Sequence, residues 1–282
     1  MRYAKRSHIF HPSDKQQPGL NKRATTPKWS HGSLGKQLQQ LSTLYEEAME
    51  MYDQSSIAKT VEDMLKTKNR PHITKVVSLG LGSLLDAKDQ QRRIKQLVLL
   101  LQIASHLDLP SGDKRRLRLY AQDPTFTATD ETFLESLGIC ILKTPSISEL
   151  GEAGRVLDQD TLIYSPFLTL ETYKMLLGSS SQYGRVPILM SDDFDALKSK
   201  WDKGTVERKV VQGLIQGTRV ANYRRRAMNG EGFWTEADRP FPMALYWRQS
   251  PARDIPGARS AVPPTRPGVF HKTEQQPVPV YT

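Results

Sequence analysis

Lys75-Val76-Val77-Ser78-Leu79-Gly80-Leu81-Gly82-Ser83 joins an apolar, β-branched run to a turn containing two glycines. An amphipathic helix pattern follows from about Asp89. A buried strand feeding a turn without side-chain bulk lets a phosphate, ribose or carboxylate approach the backbone and the next helix N-terminus. The turn stops short of the full G-x-G-x-x-G, because Leu85 stands at the third glycine position. Two readings therefore stand at this point, a ligand cradle or tight packing of a helix on its strand.

Working outward, short apolar runs alternate with period-3.6 segments. Strand patterns cover 75–80, 117–121, 139–142, 161–164 and 186–190, with a further strand expected over 243–247. Helix patterns cover 89–107, 129–137, 169–177 and 204–223, with a short helix near 147–152. Two more helices precede them. Leu34, Leu38, Leu41, Tyr45, Ala48 and Met49 share one face, with Ser33 as N-cap, and Ile57, Val61, Met64 and Leu65 mark a helix over 56–67. Thr129 or Asp130 is the expected cap of 129–137. Strands alternating with helices imply right-handed crossovers and a parallel sheet covered on both faces. The expected fold is a Rossmann-like three-layer α/β/α sandwich with a mostly parallel sheet, plus N-terminal helices.

The charge is uneven. Residues 1–36 carry eight Lys/Arg against Asp14 alone, and 248–282 carry five against Asp254 and Glu274. The intervening body holds 27 basic and 27 acidic residues. The net charge of +10 thus belongs to the tails, and no specific nucleic-acid partner is predicted. Residues 1–32 lack hydrophobic periodicity, and 248–282 contain seven prolines; both are expected to be disordered around a domain spanning 33–247, with core 70–195 and N-terminal helices over 33–67. A mitochondrial presequence at the N-terminus is disfavoured by Pro12 and Pro18. No apolar run reaches about 18 residues, so no membrane span is expected. A single cysteine, Cys140, leaves no intramolecular disulfide and points to a reducing compartment, cytoplasmic or nuclear.

Ligands on such sheets sit beyond the carboxyl ends of the strands. That rule selects Gly80, Gly82 and Ser83 after the first strand, Asp123 after the second, Ser165 after the fourth, and Ser191 and Asp192 after the fifth. Asp123 stands where a ribose-hydroxyl acceptor is expected, although Asp before Pro also closes turns. Asp192, Asp193 and Asp195 offer oxygen ligands, but adjacent acids point apart and Ser-Asp-Asp is a common helix cap, so no metal is assigned. The six histidines lie away from the strand ends, and Cys140 reads as a small core residue. Arg224-Arg225-Arg226, flanked by Tyr223 and Trp234, reads as a solvated helix end or a small basic-aromatic patch.

The order of Leu79-Gly80-Leu81-Gly82-Ser83, Gln96-Leu97, Asp123-Pro124-Thr125-Phe126, Glu131, Phe133-Leu134, Leu137-Gly138, Thr161-Leu162-Ile163-Tyr164-Ser165-Pro166 and Phe194 resembles the Sensitivity to Red Light Reduced (SRR-like) domain family. The resemblance covers roughly residues 70–195, extending to 34–247. Where the family commonly has Pro-His-Cys, this chain has Pro166-Phe167-Leu168. Where it commonly has Gly-Asn-Ser-Phe, this chain has Ser191-Asp192-Asp193-Phe194. The resemblance implies a divergent branch of the kind found in fungi and a regulatory role, with no established reaction and no named cofactor. Two functions follow as expectations. One is a regulatory or binding protein taking a protein partner or a small nucleotide-like ligand. The other is a methyltransferase-like enzyme with a cofactor over the Gly-x-Gly turn, for which no acid–base pair or nucleophile can be named.

Overall fold

The computed structural model describes residues 32–66, 71–107, 117–144, 150–177, 186–228, 230–238 and 242–248. The expected disordered tails lie outside them, apart from residues 32 and 248, as does the first part of the helix expected near 147–152.

Two N-terminal helices, α1 (Ser33–Gln54) and α2 (Ser56–Leu65), lead into strand β1 (Lys75–Leu79). Helix α3 (Gln90–Leu107), β2 (Arg118–Gln122), α4 (Ala128–Ser136) and β3 (Ile139–Ile141) follow. The second half runs α5 (Ala153–Val156), β4 (Thr161–Ser165), α6 (Leu170–Leu177), β5 (Ile188–Asp192), α7 (Phe194–Ser199) and α8 (Val206–Val220). It closes with β6 (Tyr223–Met228) and β7 (Met243–Arg248), separated by a 3₁₀ turn at Glu236–Asp238.

The sheet order is β3-β2-β1-β4-β5-β7-β6. The first five strands are parallel; β7 runs antiparallel to β5, and β6 antiparallel to β7. Because β1 lies between β2 and β4, the strand order reverses beside it, and this switch point is where such sheets open a crevice.

Neighbouring apolar residues on a strand face opposite ways, so each fully buried strand feeds two cores. Val76, Leu119, Leu162, Ile188 and Leu245 pack with α1 to α4 on one face. Val77, Ile163, Leu189 and Tyr246 pack with α5 to α8 on the other. This is the three-layer α/β/α arrangement expected from the alternation. The N-terminal helices belong to the first layer: Tyr45 meets Phe133 of α4 edge-on at 6.3 Å between centroids, and Tyr52 meets Phe233 at 5.6 Å.

Several local expectations need correction. Arg224, Arg225 and Arg226 lie on the edge strand β6 rather than on a helix end, because α8 stops at Val220 and Asn222 turns the chain at φ 63°. An edge strand tolerates and benefits from charge, since charge there discourages pairing with another chain. Residues 150–152 precede α5 rather than forming its body. The α1 cap is Gly32, with no side-chain bond from Ser33. The cap of α4 is Thr127, whose side chain and that of Asp130 form a reciprocal capping box.

Candidate functional site

The residues selected from the strand ends fall into two clusters. The first surrounds the β1 turn. Gly80 and Gly82 both have left-handed backbone, φ 75° and 77°. A Cβ on Gly80 would lie 2.5 Å from Leu168 Cδ2, and one on Gly82 would lie 2.5 Å from Arg93 Nε. Both glycines are therefore required by conformation and by what presses on them. What presses on them is protein.

The amides of this turn are also taken. Gly82 N–H donates to Asp123 Oδ2 at 2.8 Å, Ser83 N–H to Thr125 Oγ1 at 3.1 Å, and Leu84 N–H to Asp130 Oδ1 at 2.9 Å. Asp123 Oδ1 accepts in addition from the amide and hydroxyl of Thr125. Arg93 donates to the Ser83 carbonyl at 2.6 Å and pairs with Asp86 at 3.1 Å. Helix α3 begins only at Gln90, and Gln90 itself donates to the Leu84 carbonyl. The turn thus brings Gly80, Gly82, Ser83 and Asp123 together. Its donors point at this chain's own carboxylates and hydroxyl.

The second cluster lies at the ends of β4 and β5. Ser165 and Ser191 are opposite each other in register and wholly buried. Ser191 donates to the Asp192 carbonyl, while no described residue bonds the Ser165 hydroxyl. Asp192 is 3% exposed, and its carboxylate oxygens each accept from the Phe167 amide at 3.2 Å. The Tyr173 hydroxyl lies 2.9 Å from Asp192 Oδ2 and 2.7 Å from the Ser165 carbonyl. Burial lifts the Asp192 carboxyl to about 6, against the opposing pull of the Tyr173 and Phe167 bonds. Burial, reinforced by the charge of Asp192, drives the Tyr173 hydroxyl well above its ordinary range. Phe167 holds φ 67°, a rare conformation for a bulky residue, and the Arg92 guanidinium sits 5.0 Å from its ring centroid.

Asp193 caps α7 and is clamped by Arg225, which explains the next acid in the run without a metal. Among the described residues no group of three His, Cys, Asp or Glu side chains could hold a metal ion. No helix among them is long and apolar enough to cross a membrane. Sequence reasoning missed Arg92, Arg93, Thr125, Phe167, Leu168 and Tyr173 as parts of these clusters. Thr127-x-x-Asp130 carried a capping-box signal, but nothing local tells that Asp130 also reaches Leu84.

Solved structures similar to this chain include a Corynebacterium glutamicum protein, with 10% identity and a TM-score of 0.44 over 75% of this chain and 92% of that one. Aeropyrum pernix fibrillarin with bound S-adenosyl-L-methionine gives 11% identity and a TM-score of 0.39, over 68% and 76%. The O-methyltransferase TomG of Streptomyces achromogenes, in complex with SAM, gives 9% and 0.40, over 79% and 92%. No curated protein sequence matches the chain. The family model of the SRR1 domain matches residues 38–239, from the first turns of α1 to just past the 3₁₀ turn before β7. With six of the seven strands, β1 to β6, and every helix after α1 inside that match, the chain belongs to the SRR1 domain family.

Proposed function

We propose that this SRR1-domain protein is a regulatory or binding protein that engages a partner through its surface rather than a transferase that works on a cofactor at the β1 turn. The single observation behind this reading is the occupancy of that turn. Three successive amides that would cradle a ligand are bonded to Asp123, Thr125 and Asp130, and Leu168 sits where a ligand would approach Gly80. Opening the turn would require breaking three bonds before any new one forms, and each leaves a polar group to be resatisfied. The positions that depart from the common family pattern support the same reading. Leu168, in place of cysteine, packs on Gly80, and Phe167, in place of histidine, brings no titratable group to the crevice.

The test is a titration of the full chain with S-adenosylmethionine and S-adenosylhomocysteine, read as melting temperature. The reading expects no saturable rise, because a ligand bound only by the folded state must stabilise it. A saturable rise that disappears in Asp123→Ala would overturn it in favour of a methyltransferase-like enzyme.

A further inference from the structure

A groove of about 430 Å³ lies between α7 and α8 and is lined by none of the residues of the two strand-end clusters. That volume is in the range of small-molecule sites. Its charge is lopsided. Lys198 of α7 and Lys209 and Arg219 of α8 line it, against a single acid, Asp195. Asp195 is already paired with Arg225 at 3.3 Å. Among the described residues no carboxylate pairs with Lys198, Lys209 or Arg219. The body as a whole is neutral, so this is a local concentration of cations rather than a share of the general basicity.

The groove is also held in shape. Arg208 donates to the carbonyls of Lys198 and Trp201 at 3.0 and 2.7 Å, which ties the end of α7 to the first turn of α8. Lys198 is therefore set beside the turn that carries Lys209. Arg219 lies ten residues further on, about 15 Å along the helix axis. Leu197, Val211 and Leu214 pack beneath as part of the core. The two helix backbones that carry the lining side chains are thus fixed relative to each other by the fold.

A second observation comes from the glycines of α8. Glycine inside a helix is destabilising relative to alanine. Gly217 has a packing reason, because a Cβ there would lie 3.0 Å from the Leu177 carbonyl. Gly213 has none: nothing lies within 4 Å of where its Cβ would be, and it lines the groove. The bare backbone at mid-groove suits the close approach of a flat group from outside. Gln212, Gln216 and the half-buried Ile215 surround it with amides and an apolar floor.

We propose that this groove binds a phosphate-bearing small molecule of nucleotide size, its phosphates on Lys198 and Lys209 and its remaining body along Gly213 towards Arg219. Ammonium and guanidinium groups without a carboxylate among the described residues are the natural partners of phosphate oxygens. The site is separate from the β1 turn, and the proposal does not depend on how that turn is read.

Calorimetric titration of the full chain with ATP, in moderate salt, is the test. Saturable binding at one site per chain is expected. Lys209→Glu should weaken it by about tenfold or more, at unchanged melting temperature. Gly213→Leu should weaken it similarly while leaving the melting temperature unchanged or raised, since leucine is the better helix former. The basic tails also attract anions, so ATP binding that survives both substitutions unaltered belongs elsewhere and overturns the proposal. Absence of saturable ATP binding overturns it equally. S-adenosylmethionine carries no phosphate, so the two titrations fail or succeed separately.

Discussion

The backbone amide of Phe167 is hydrogen-bonded to both carboxylate oxygens of Asp192, at 3.2 Å each. The two residues belong to the two segments, Pro166-Phe167-Leu168 and Ser191-Asp192-Asp193-Phe194, read from the sequence as departing from the pattern of the resemblance. They lie 25 residues apart in the chain and touch in the fold. In this chain a buried acid anchors a backbone turn held at left-handed φ, beneath a ring covered by Arg92.

That anchoring has a pH signature. The Asp192 carboxyl is raised from 3.8 to about 6, so the folded state holds this proton more tightly than the unfolded state does. Its charge consequently weakens the fold above pH 6, and the loss is recovered as pH falls from about 6 towards 4. A shift of this size corresponds to about 3 kcal/mol. Denaturant unfolding of the wild type and of Asp192→Asn should show the variant more stable at pH 7 by about 1–3 kcal/mol, with the gap closing by pH 4. A gap that stays constant from pH 7 to 4 would contradict the assignment.

Asp123 makes the opposite prediction to a ligand contact. It serves three donors of its own chain, the Gly82 and Thr125 amides and the Thr125 hydroxyl. Asp123→Ala should cost about 0.5–1.5 kcal/mol in the ligand-free protein, because the half-buried Gly82 amide and the exposed Thr125 amide lose their acceptor. Asp123→Asn keeps one acceptor oxygen and should cost clearly less. Chemical denaturation measures both, and an alanine variant as stable as the wild type would return Asp123 to the role of a free ligand acceptor.

Gly80 can be separated into its two constraints. Alanine there pays for left-handed backbone, about 1–2 kcal/mol, and also collides with Leu168. Gly138→Ala meets the backbone term alone, since φ is 83° and its surroundings are open. Gly80→Ala should therefore be the more destabilising of the two. Combining it with Leu168→Ala should recover about 0.5 kcal/mol or more relative to the sum of the single changes. Strict additivity in that double-mutant cycle would show that Leu168 does not press on Gly80 in solution.

The legibility of this molecule follows the range of its interactions. Val76-Val77, Leu162-Ile163 and Ile188-Leu189 announce strands buried on both faces, so the parallel half of the sheet and its strand-end residues were readable. Strand β6 was not, because Arg224-Arg225-Arg226 lacks apolar alternation and follows a helix without a proline to stop it. The filling of the β1 turn was hidden for another reason. Gly80-Leu81-Gly82 reads identically whether a ligand or Leu168 occupies the space, and Leu168 arrives from 88 residues away. Lys95 in the midst of a leucine-rich helix was a visible oddity, but its partner lies 143 residues on.

That partner is Asp238. The Lys95 ammonium and the Asp238 carboxylate meet at 2.5 Å with side chains 5% and 0% exposed, and the Phe233 ring centroid lies 5.7 Å from the same ammonium. Asp238 Oδ2 also accepts from the amide and hydroxyl of Thr235, so one carboxylate holds the segment before β7 onto α3. Removing one member of a buried pair leaves the other uncompensated, and Lys95→Met should cost about 3–5 kcal/mol. Amide exchange over residues 230–238 should rise more than in the parallel strands, since this segment loses its tether. Lys95→Met combined with Asp238→Asn should restore part of the loss, because no buried charge remains while the Thr235 bonds can persist. If the double variant is no more stable than Lys95→Met alone, the penalty comes from lost packing around the lysine stem and not from a stranded charge.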